Sequence, residues 1–148
     1  MRLNVGAGSR PVIEPGWINV DRVRLHGIDV VHDLDVGPWP FEDGSSEQIE
    51  AKDVFEHVGD PILFMTECYR ILRPHGVLHI RTPHFTCLDA FTDPTHRRFC
   101  TEHTFDYWIP ETILYREHNA AYGRAEFYLG KLVVDNGTID VRLVRPES

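Results

Sequence analysis

Arg2-Leu3-Asn4-Val5-Gly6-Ala7-Gly8-Ser9, an alternating run that breaks at a glycine-rich turn, opens the chain. The pattern predicts a β-strand followed by a turn whose backbone N–H groups can approach a ligand closely. Two further short strands are predicted, Trp17–Asp21 and Ile28–Asp33, and each ends on an acid. A carboxylate at the end of the strand beside such a turn can accept hydrogen bonds from both hydroxyls of a ribose. The glycine turn and Asp21 therefore predict a nucleoside site.

The connections between these strands are short. Residues 9–16 and 22–27 are too few for the full helix that normally joins parallel neighbours. Either the crossover helices are reduced to single turns, or the strands are not parallel. Pro11 stands where the dinucleotide fingerprint needs a small residue, so a ligand with a ribose and no pyrophosphate fits better than a nicotinamide cofactor.

Further along the chain the residues that start and end helices and strands are easier to recognise. Asp60 is the predicted N-cap of a helix that has Pro61 at its first position and stops before Pro74. The other predicted elements are a strand at Gln48–Lys52, a strand at Val77–Thr82, a short helix over Glu102–Trp108 capped by Thr101, and a hairpin of Phe127–Val134 with Thr138–Val144.

Composition limits the class of protein. The 148 residues carry 15 Lys and Arg against 23 Asp and Glu, which gives a net charge of −8 and disfavours a nucleic-acid partner. The three cysteines are an odd number without a secretory leader pattern, and no apolar run reaches the ~20 residues of a membrane span. We expect one cytoplasmic domain over residues 1–148 that does not enter a membrane.

Five motifs, in this order, carry a family resemblance. They are Leu3–Gly8, Pro15–Asp21, Trp39–Ser45, Phe55–Val58 and Arg70–Gly76. The chain resembles the class I S-adenosylmethionine-dependent methyltransferases, most closely the small type-11-like group. That resemblance implies an α/β fold with a doubly wound, seven-stranded, mostly parallel sheet, an antiparallel C-terminal hairpin and abbreviated first crossover helices. His75 stands where a glycine is usual in the family.

The resemblance also implies the cofactor, S-adenosylmethionine, and a set of binding residues. Asn4 and Val5 lead into Gly6, Ala7 and Gly8 under its methionine end, Asp21 holds the ribose, Asp33 and Leu34 flank the adenine, and Asp53 lies near the methyl sulfonium.

The residues that would bind the methyl acceptor and take its proton have to be sought after Pro83. The segment Asp93–Arg98 holds a carboxylate, an imidazole and two guanidiniums within six residues. In one interpretation His96 or Asp93 takes a proton from the acceptor, and Arg97 or Arg98 binds an anionic group on it. In the other, Asp93 caps a turn and the arginines pair with surface acids. His57 can also face the methyl group, or serve only in packing.

A competing pattern has residue types that bind zinc. His84, Cys87, His96, Cys100 and His103 have suitable side chains, but their spacing is not that of a zinc finger. We therefore predict no metal, with this set kept as an alternative.

The predicted function is methyl transfer to an oxygen of a small polar acceptor, such as a sugar, a glycan or a nucleotide-linked metabolite. Methylation of nucleic-acid bases is disfavoured because Asp53–Glu56 lacks the Asn/Asp-Pro-Pro-aromatic sequence associated with that chemistry. A homo-oligomer is expected, since short crossovers leave sheet surface uncovered. The alternative is a non-catalytic cofactor-binding or zinc-stabilised module that serves as a subunit of a larger assembly.

Overall fold

Seven strands form a single mixed sheet in the computed structural model, which describes residues 1–147. The strands are β1 (Arg2–Val5), β2 (Trp17–Asp21), β3 (Val30–Val31), β4 (Ser46–Lys52), β5 (Leu72–Pro83), β6 (Tyr128–Asp135) and β7 (Thr138–Val144). Their order across the sheet is β3-β2-β1-β4-β5-β7-β6. Strands β1 to β5 are parallel, and β7 runs antiparallel to both β5 and β6, as the predicted hairpin requires.

The helices are few. They are α1 (Pro61–Ile71), α2 (Asp89–Thr92) and α3 (Ile113–His118), with 3₁₀ turns at Asp106–Trp108 and Asn119–Ala121. Asp60 caps α1 as predicted, since its carboxylate accepts hydrogen bonds from the backbone N–H groups of Ile62 and Leu63. No helix within residues 1–147 has both the length and the apolar character needed to cross a bilayer.

The loop between β3 and β4 contributes buried side chains where other connections of this kind have a helix. The connection between β3 and β4 contains no helix, yet Trp39 within it is buried and packs edge-on against Phe64 of α1, with 5.5 Å between ring centroids. The backbone N–H of Trp39 donates to the buried carboxylate of Glu67, 2.6 Å away. In this connection a loop side chain thus contributes to the core in place of a helix.

Three predicted elements are wrong in extent. β5 begins at Leu72, five residues before the predicted start at Val77, because Leu72 pairs with Ser46 of β4. Thr101 does not begin a helix over Glu102–Trp108, because its hydroxyl accepts the His103 N–H in a local turn and only Asp106–Trp108 forms a 3₁₀ turn. The strand expected at Ile28–Asp33 shrinks to Val30–Val31, because the Asp29 side chain accepts the Asn19 N–H.

His75 adopts the left-handed conformation that the family's glycine would favour. Its φ is +62°, and its backbone N–H donates to the carbonyl oxygen of Arg145 at 3.0 Å. The hydrogen bond explains why the turn keeps this conformation in spite of the side chain.

Candidate active site

A cavity of about 480 Å³ opens where the parallel strands β1, β2, β3 and β4 end. Ligands bind at this edge of open α/β sheets. Its lining residues are Gly6, Asp21, Arg22, His32, Asp33, Leu34, Asp35, Asp53, Val54, His57, Val58, Pro94, Thr95, His96 and Arg97.

The Asp21 carboxylate is fixed at the end of β2. It accepts the backbone N–H of Gly8 on one oxygen and that of Val23 on the other, both at 2.9 Å. A carboxylate has about four acceptor positions, so two remain for a ligand. Gly6, at φ +64°, approaches Val54 so closely that a Cβ atom would lie 2.4 Å from a valine methyl carbon. Only glycine permits this turn.

Several residues of the glycine motif do not line the cavity. Val5 is fully buried in the core, and the Asn4 amide donates to the Asn19 side chain across β1 and β2 at 2.9 Å. The backbone N–H of Ala7 donates to the carbonyl oxygen of Val20 at 3.0 Å. The structure gives Asn4, Val5 and Ala7 roles in shaping the turn, and their part in binding the cofactor stays a prediction.

Acidic groups dominate the cavity wall. The lining includes four aspartates, Asp21, Asp33, Asp35 and Asp53, against two arginines, Arg22 and Arg97. Asp33 accepts the Asp35 N–H at 3.0 Å, and Asp35 in turn accepts the Gly59 N–H at 2.6 Å. These bonds connect the β3–β4 loop to the segment that precedes α1. The wall suits a ligand that carries positive charge.

Asp53, directly after β4, is held in place by Arg81. Its φ is +57°, and its carboxylate forms an ion pair with the Arg81 guanidinium. The hydrogen bond to Asp53 raises the pKa of Arg81. Asp53 lines the cavity as predicted, with its charge shared with an arginine.

Two imidazoles meet at the opposite wall. The rings of His57 and His96 lie 4.6 Å apart, nearly perpendicular at 74°. His96 Nδ1 is 2.8 Å from the carbonyl oxygen of Ala90, which can only accept, so this nitrogen carries the proton. The Nε2 atom of neutral His96 therefore presents a lone pair.

His57 reaches the same state through a relay. Its Nδ1 atom is 2.9 Å from the Thr95 hydroxyl, which lies 2.7 Å from the exposed carboxylate of Asp93. The single hydroxyl proton goes to the charged carboxylate, so the Thr95 oxygen accepts from His57 Nδ1. Neutral His57 likewise presents Nε2 as an acceptor.

Asp93 and Arg98 have structural contacts in place of the ligand contacts expected of them. Asp93 does not line the cavity and caps its turn by accepting the Thr95 N–H at 2.8 Å. Arg98 donates to the carbonyl oxygens of Phe55 and Val58 and lies over the Phe55 ring. Burial lowers the pKa of Arg98. Arg98 is thus a brace for residues 55–58, which corrects its predicted role in binding the substrate.

The zinc-type residues of the sequence do not come together. His84 contacts Thr86 and Glu102, whereas His103 contacts Asp106. Within residues 1–147, three potential ligands approach one another at Glu56, His57 and His96.

Glu56 is the site residue that sequence analysis missed. It is 2% exposed and accepts the Thr82 hydroxyl at 2.9 Å. Burial raises the pKa of Glu56 above its ordinary value. Its position before His57 was the only available signal, and an acid beside a histidine is too common to be informative. Asp35 and Arg22 were also missed, although they follow Asp33 and Asp21 closely.

Comparison with known proteins agrees with this geometry. A family model described as a methyltransferase domain matches residues 13–80. A protein of Mycolicibacterium smegmatis named a probable S-adenosylmethionine-dependent methyltransferase is 36% identical over 62 residues, which are 42% of this chain and 24% of that protein. The chain spans about a quarter of the length of the curated relatives it matches.

Solved structures extend the likeness over nearly the whole chain. A SAM-dependent methyltransferase from Methanosarcina mazei has a TM-score of 0.69 at 13% identity and covers 99% of this chain and 92% of its own. The [4+2]-cyclase SpnF has a TM-score of 0.68 at 13% identity, with coverages of 99% and 74%. At these identities the structures share a fold with this chain.

Proposed function

We propose that this chain is a class I S-adenosylmethionine-dependent methyltransferase, which binds S-adenosylmethionine in the cavity and transfers its methyl group to an oxygen of a small polar acceptor. The observation that carries the proposal is the Asp21 carboxylate, fixed by the Gly8 N–H at the end of β2 with acceptor positions left for two hydroxyls. Sugars, glycans and nucleotide-linked metabolites are the acceptor classes we consider.

The cavity residues fit this cofactor. Asp21 would hold the ribose hydroxyls, and the free oxygen of Asp33 would accept from the adenine amino group beside Leu34. The Gly6 turn leaves room for the methionine end, and the acidic wall suits a molecule with a sulfonium and an ammonium group. The bound cofactor supplies an electrophilic methyl group on its sulfonium.

The protein's own contribution is to position the acceptor and accept its proton. In the neutral imidazole of His96 the Nε2 lone pair is directed away from the Ala90 hydrogen bond, and His57 supplies a second acceptor 4.6 Å away, ring to ring. Such a base takes the hydroxyl proton as the new bond to oxygen forms. Arg97, at the same wall, is the cation available for an anionic group of the acceptor.

The test is the affinity for S-adenosylhomocysteine, measured by isothermal titration calorimetry. Asp21→Ala should weaken binding by about 1.5–3 kcal/mol for each charge-assisted hydrogen bond lost, which is tenfold or more in Kd. Asp29→Ala is the matched control, because Asp29 also accepts a backbone N–H of β2, at 2.7 Å from Asn19, and does not line the cavity. Unchanged affinity in folded Asp21→Ala protein would remove the assignment.

A further inference from the structure

Glu56, His57 and His96 bring potential metal ligands close together beside the cavity, which His57 and His96 line. One ligand atom from each lies within 4.8 Å of the other two. Glu56 and His57 follow β4, whereas His96 lies about forty residues further along the chain. The two segments are held together by the backbone hydrogen bond from the Arg97 N–H to the Glu56 carbonyl oxygen, 2.8 Å long, and by the Arg98 brace. The convergence is therefore part of the fold.

Both imidazoles are oriented as metal-bound histidines usually are. A ligating histidine donates its other ring N–H to a backbone carbonyl or, directly or through a relay, to a carboxylate, which fixes the tautomer. His96 donates to the Ala90 carbonyl, and His57 donates to Thr95, whose hydroxyl is held by Asp93. Each ring is thus left with Nε2 as the atom able to bind an ion.

Glu56 adds an independent indication. It is 98% buried, and its Oε1 atom has no hydrogen-bond partner among residues 1–147, whereas Oε2 accepts from Thr82. A buried carboxylate oxygen without a partner destabilises the folded state, and native proteins leave few such atoms unexplained. A cation beside Oε1 would remove that destabilisation.

We propose that Glu56, His57 and His96 form a binding site for a divalent transition-metal ion, with the remaining coordination positions open to the cavity. Two imidazole nitrogens and one carboxylate oxygen suit Zn²⁺, and also Fe²⁺ or Co²⁺, better than Mg²⁺ or Ca²⁺, which prefer oxygen ligands. Three protein ligands with an open position are typical of metal sites that bind a substrate or water.

The proposal goes beyond the proposed methyl transfer and concerns the same wall. A bound ion would take the Nε2 lone pairs that otherwise accept the acceptor's proton, so the two roles exclude each other in one molecule. With the ion present, the acceptor hydroxyl would become a metal ligand and lose its proton to water more readily. Metal binding itself needs neither cofactor nor acceptor, so it can be tested separately.

The experiment is a titration of the tag-free full chain with Co²⁺ and Zn²⁺ in the absence of S-adenosylmethionine. We expect one equivalent of metal, with a visible Co²⁺ spectrum that lacks the near-ultraviolet charge-transfer band of a thiolate ligand. Glu56→Gln, His57→Ala and His96→Ala should each weaken binding about tenfold or more, and Thr95→Val, which breaks the relay to His57, should weaken it about 10- to 100-fold.

The controls exclude the other histidines and cysteines. His103→Ala removes an exposed imidazole that pairs with Asp106, and Cys100→Ser removes a buried thiol. Both variants should bind metal as the parent does. No binding by the parent protein below millimolar metal, or full binding by folded His57→Ala and His96→Ala, would overturn the site. Neither result alters the Asp21 measurement, so failure here and failure of the proposed function are distinguishable.

Discussion

Arg97 lines the cavity, whereas the guanidinium of the adjacent Arg98 donates hydrogen bonds to the carbonyl oxygens of Phe55 and Val58. Two neighbouring arginines of identical chemistry therefore have different tasks, and only their surroundings separate them. Arg98 keeps the His57 segment against the His96 segment, and its planar fork suits two carbonyl acceptors at once.

Substitutions of these two arginines should separate binding from stability. Arg98→Ala should lower the free energy of unfolding by about 1.5–3 kcal/mol, because it removes charge-assisted hydrogen bonds to half-buried carbonyls. Arg98→Lys should restore little of this loss, since an ammonium lacks the fork geometry. Arg97→Ala should change stability by less than about 0.5 kcal/mol and raise the KM for an anionic acceptor. Urea denaturation and steady-state kinetics measure the two effects, and equal stability losses would contradict the distinction.

His96 is the residue on which the proposed chemistry depends. In protein assayed with a chelator, so that no ion occupies the imidazoles, His96→Ala should lose roughly 10²–10⁴-fold in turnover. Its affinity for S-adenosylhomocysteine should stay nearly unchanged, because the Asp21 side of the cavity is intact. Wild-type turnover in the folded variant would move the proton acceptor to His57.

Local patterns revealed one half of the site and not the other. The closeness of Asp21 to the glycine turn was predictable because they end two consecutive strands that pair in register, from Arg2 opposite Trp17 to Val5 opposite Val20. Glu56 was not predictable, because its role depends on the hydrogen bond from Thr82 and on its closeness to His96, and both residues are distant in sequence. For Asp93 the sequence left a turn cap and a proton acceptor open, because which one applies depends on the direction of the turn, and the structure shows the cap.

At the scale of elements, alternating sequence patterns predicted the hairpin correctly. Two of the wrong predictions are at places where a side-chain hydrogen bond competes with the backbone pairing. The β6–β7 hairpin, with Asn136 and Gly137 at positive φ, is what its turn residues predict. The failures at Thr101 and Asp29 share a cause, since in both places a side-chain oxygen accepts a backbone N–H. Sequence periodicity carries no information about that competition.

The centre of the sheet contains a titratable contact that links three strands. His79 of β5 lies 3.7 Å from the carboxylate of Glu50 on β4 and 3.0 Å from that of Asp140 on β7. Glu50, then Asp140, raise the pKa of His79 above 6.5. The neighbouring His79 imidazole and the Lys52 ammonium lower the pKa of Glu50 to about 2.

The sign of the resulting pH dependence follows from these directions. The folded state binds the His79 proton more tightly than the unfolded state, so this stabilisation is complete below about pH 6.5 and is lost as the pH rises through the folded pKa. The Glu50 part is present above about pH 4.5 and is lost toward pH 2. His79→Gln should therefore flatten the fall in unfolding free energy between about pH 6 and pH 8.

A matched histidine provides the control for this element. The pKa of His103 is also raised by a carboxylate, that of Asp106, but the His103 side chain is 70% exposed against 10% for His79. Solvent screens the exposed pair, so His103→Gln should leave the pH profile nearly unchanged. If the pH dependence of the unfolding free energy changed equally in both variants, the contact in the sheet would not be the cause of it.

At the scale of the whole molecule, the fold supplies a place for a ligand and the loops decide the chemistry. Structures as different in reaction as a methyltransferase and the cyclase SpnF share this sheet. The proposal of methyl transfer therefore rests on Asp21, the acidic cavity wall and the motif order, rather than on topology. The cavity lies at the C-terminal ends of β1 to β4, which leaves the hairpin edge far from it in strand order.

That hairpin edge is where we predict self-association. β6 is the outermost strand, and Leu132 is its only residue in residues 1–147 that is not exposed. An edge with free backbone groups and exposed valines favours pairing with another strand. Antiparallel pairing of two copies about Val133 would place Lys131 of one opposite Asp135 of its partner, which is an opposite-charge pair.

Sedimentation velocity at micromolar concentration should therefore give a mass of twice the 17.1 kDa chain. Val133→Lys should return the protein to the monomer, because it places a like pair of charges at the two-fold axis and blocks the edge. Ile13→Lys is the control, since Ile13 is 93% exposed and lies outside the hairpin, so it should leave the dimer intact. A monomeric parent protein would refute the association, and a dimer that survives Val133→Lys would place the contact elsewhere than on β6.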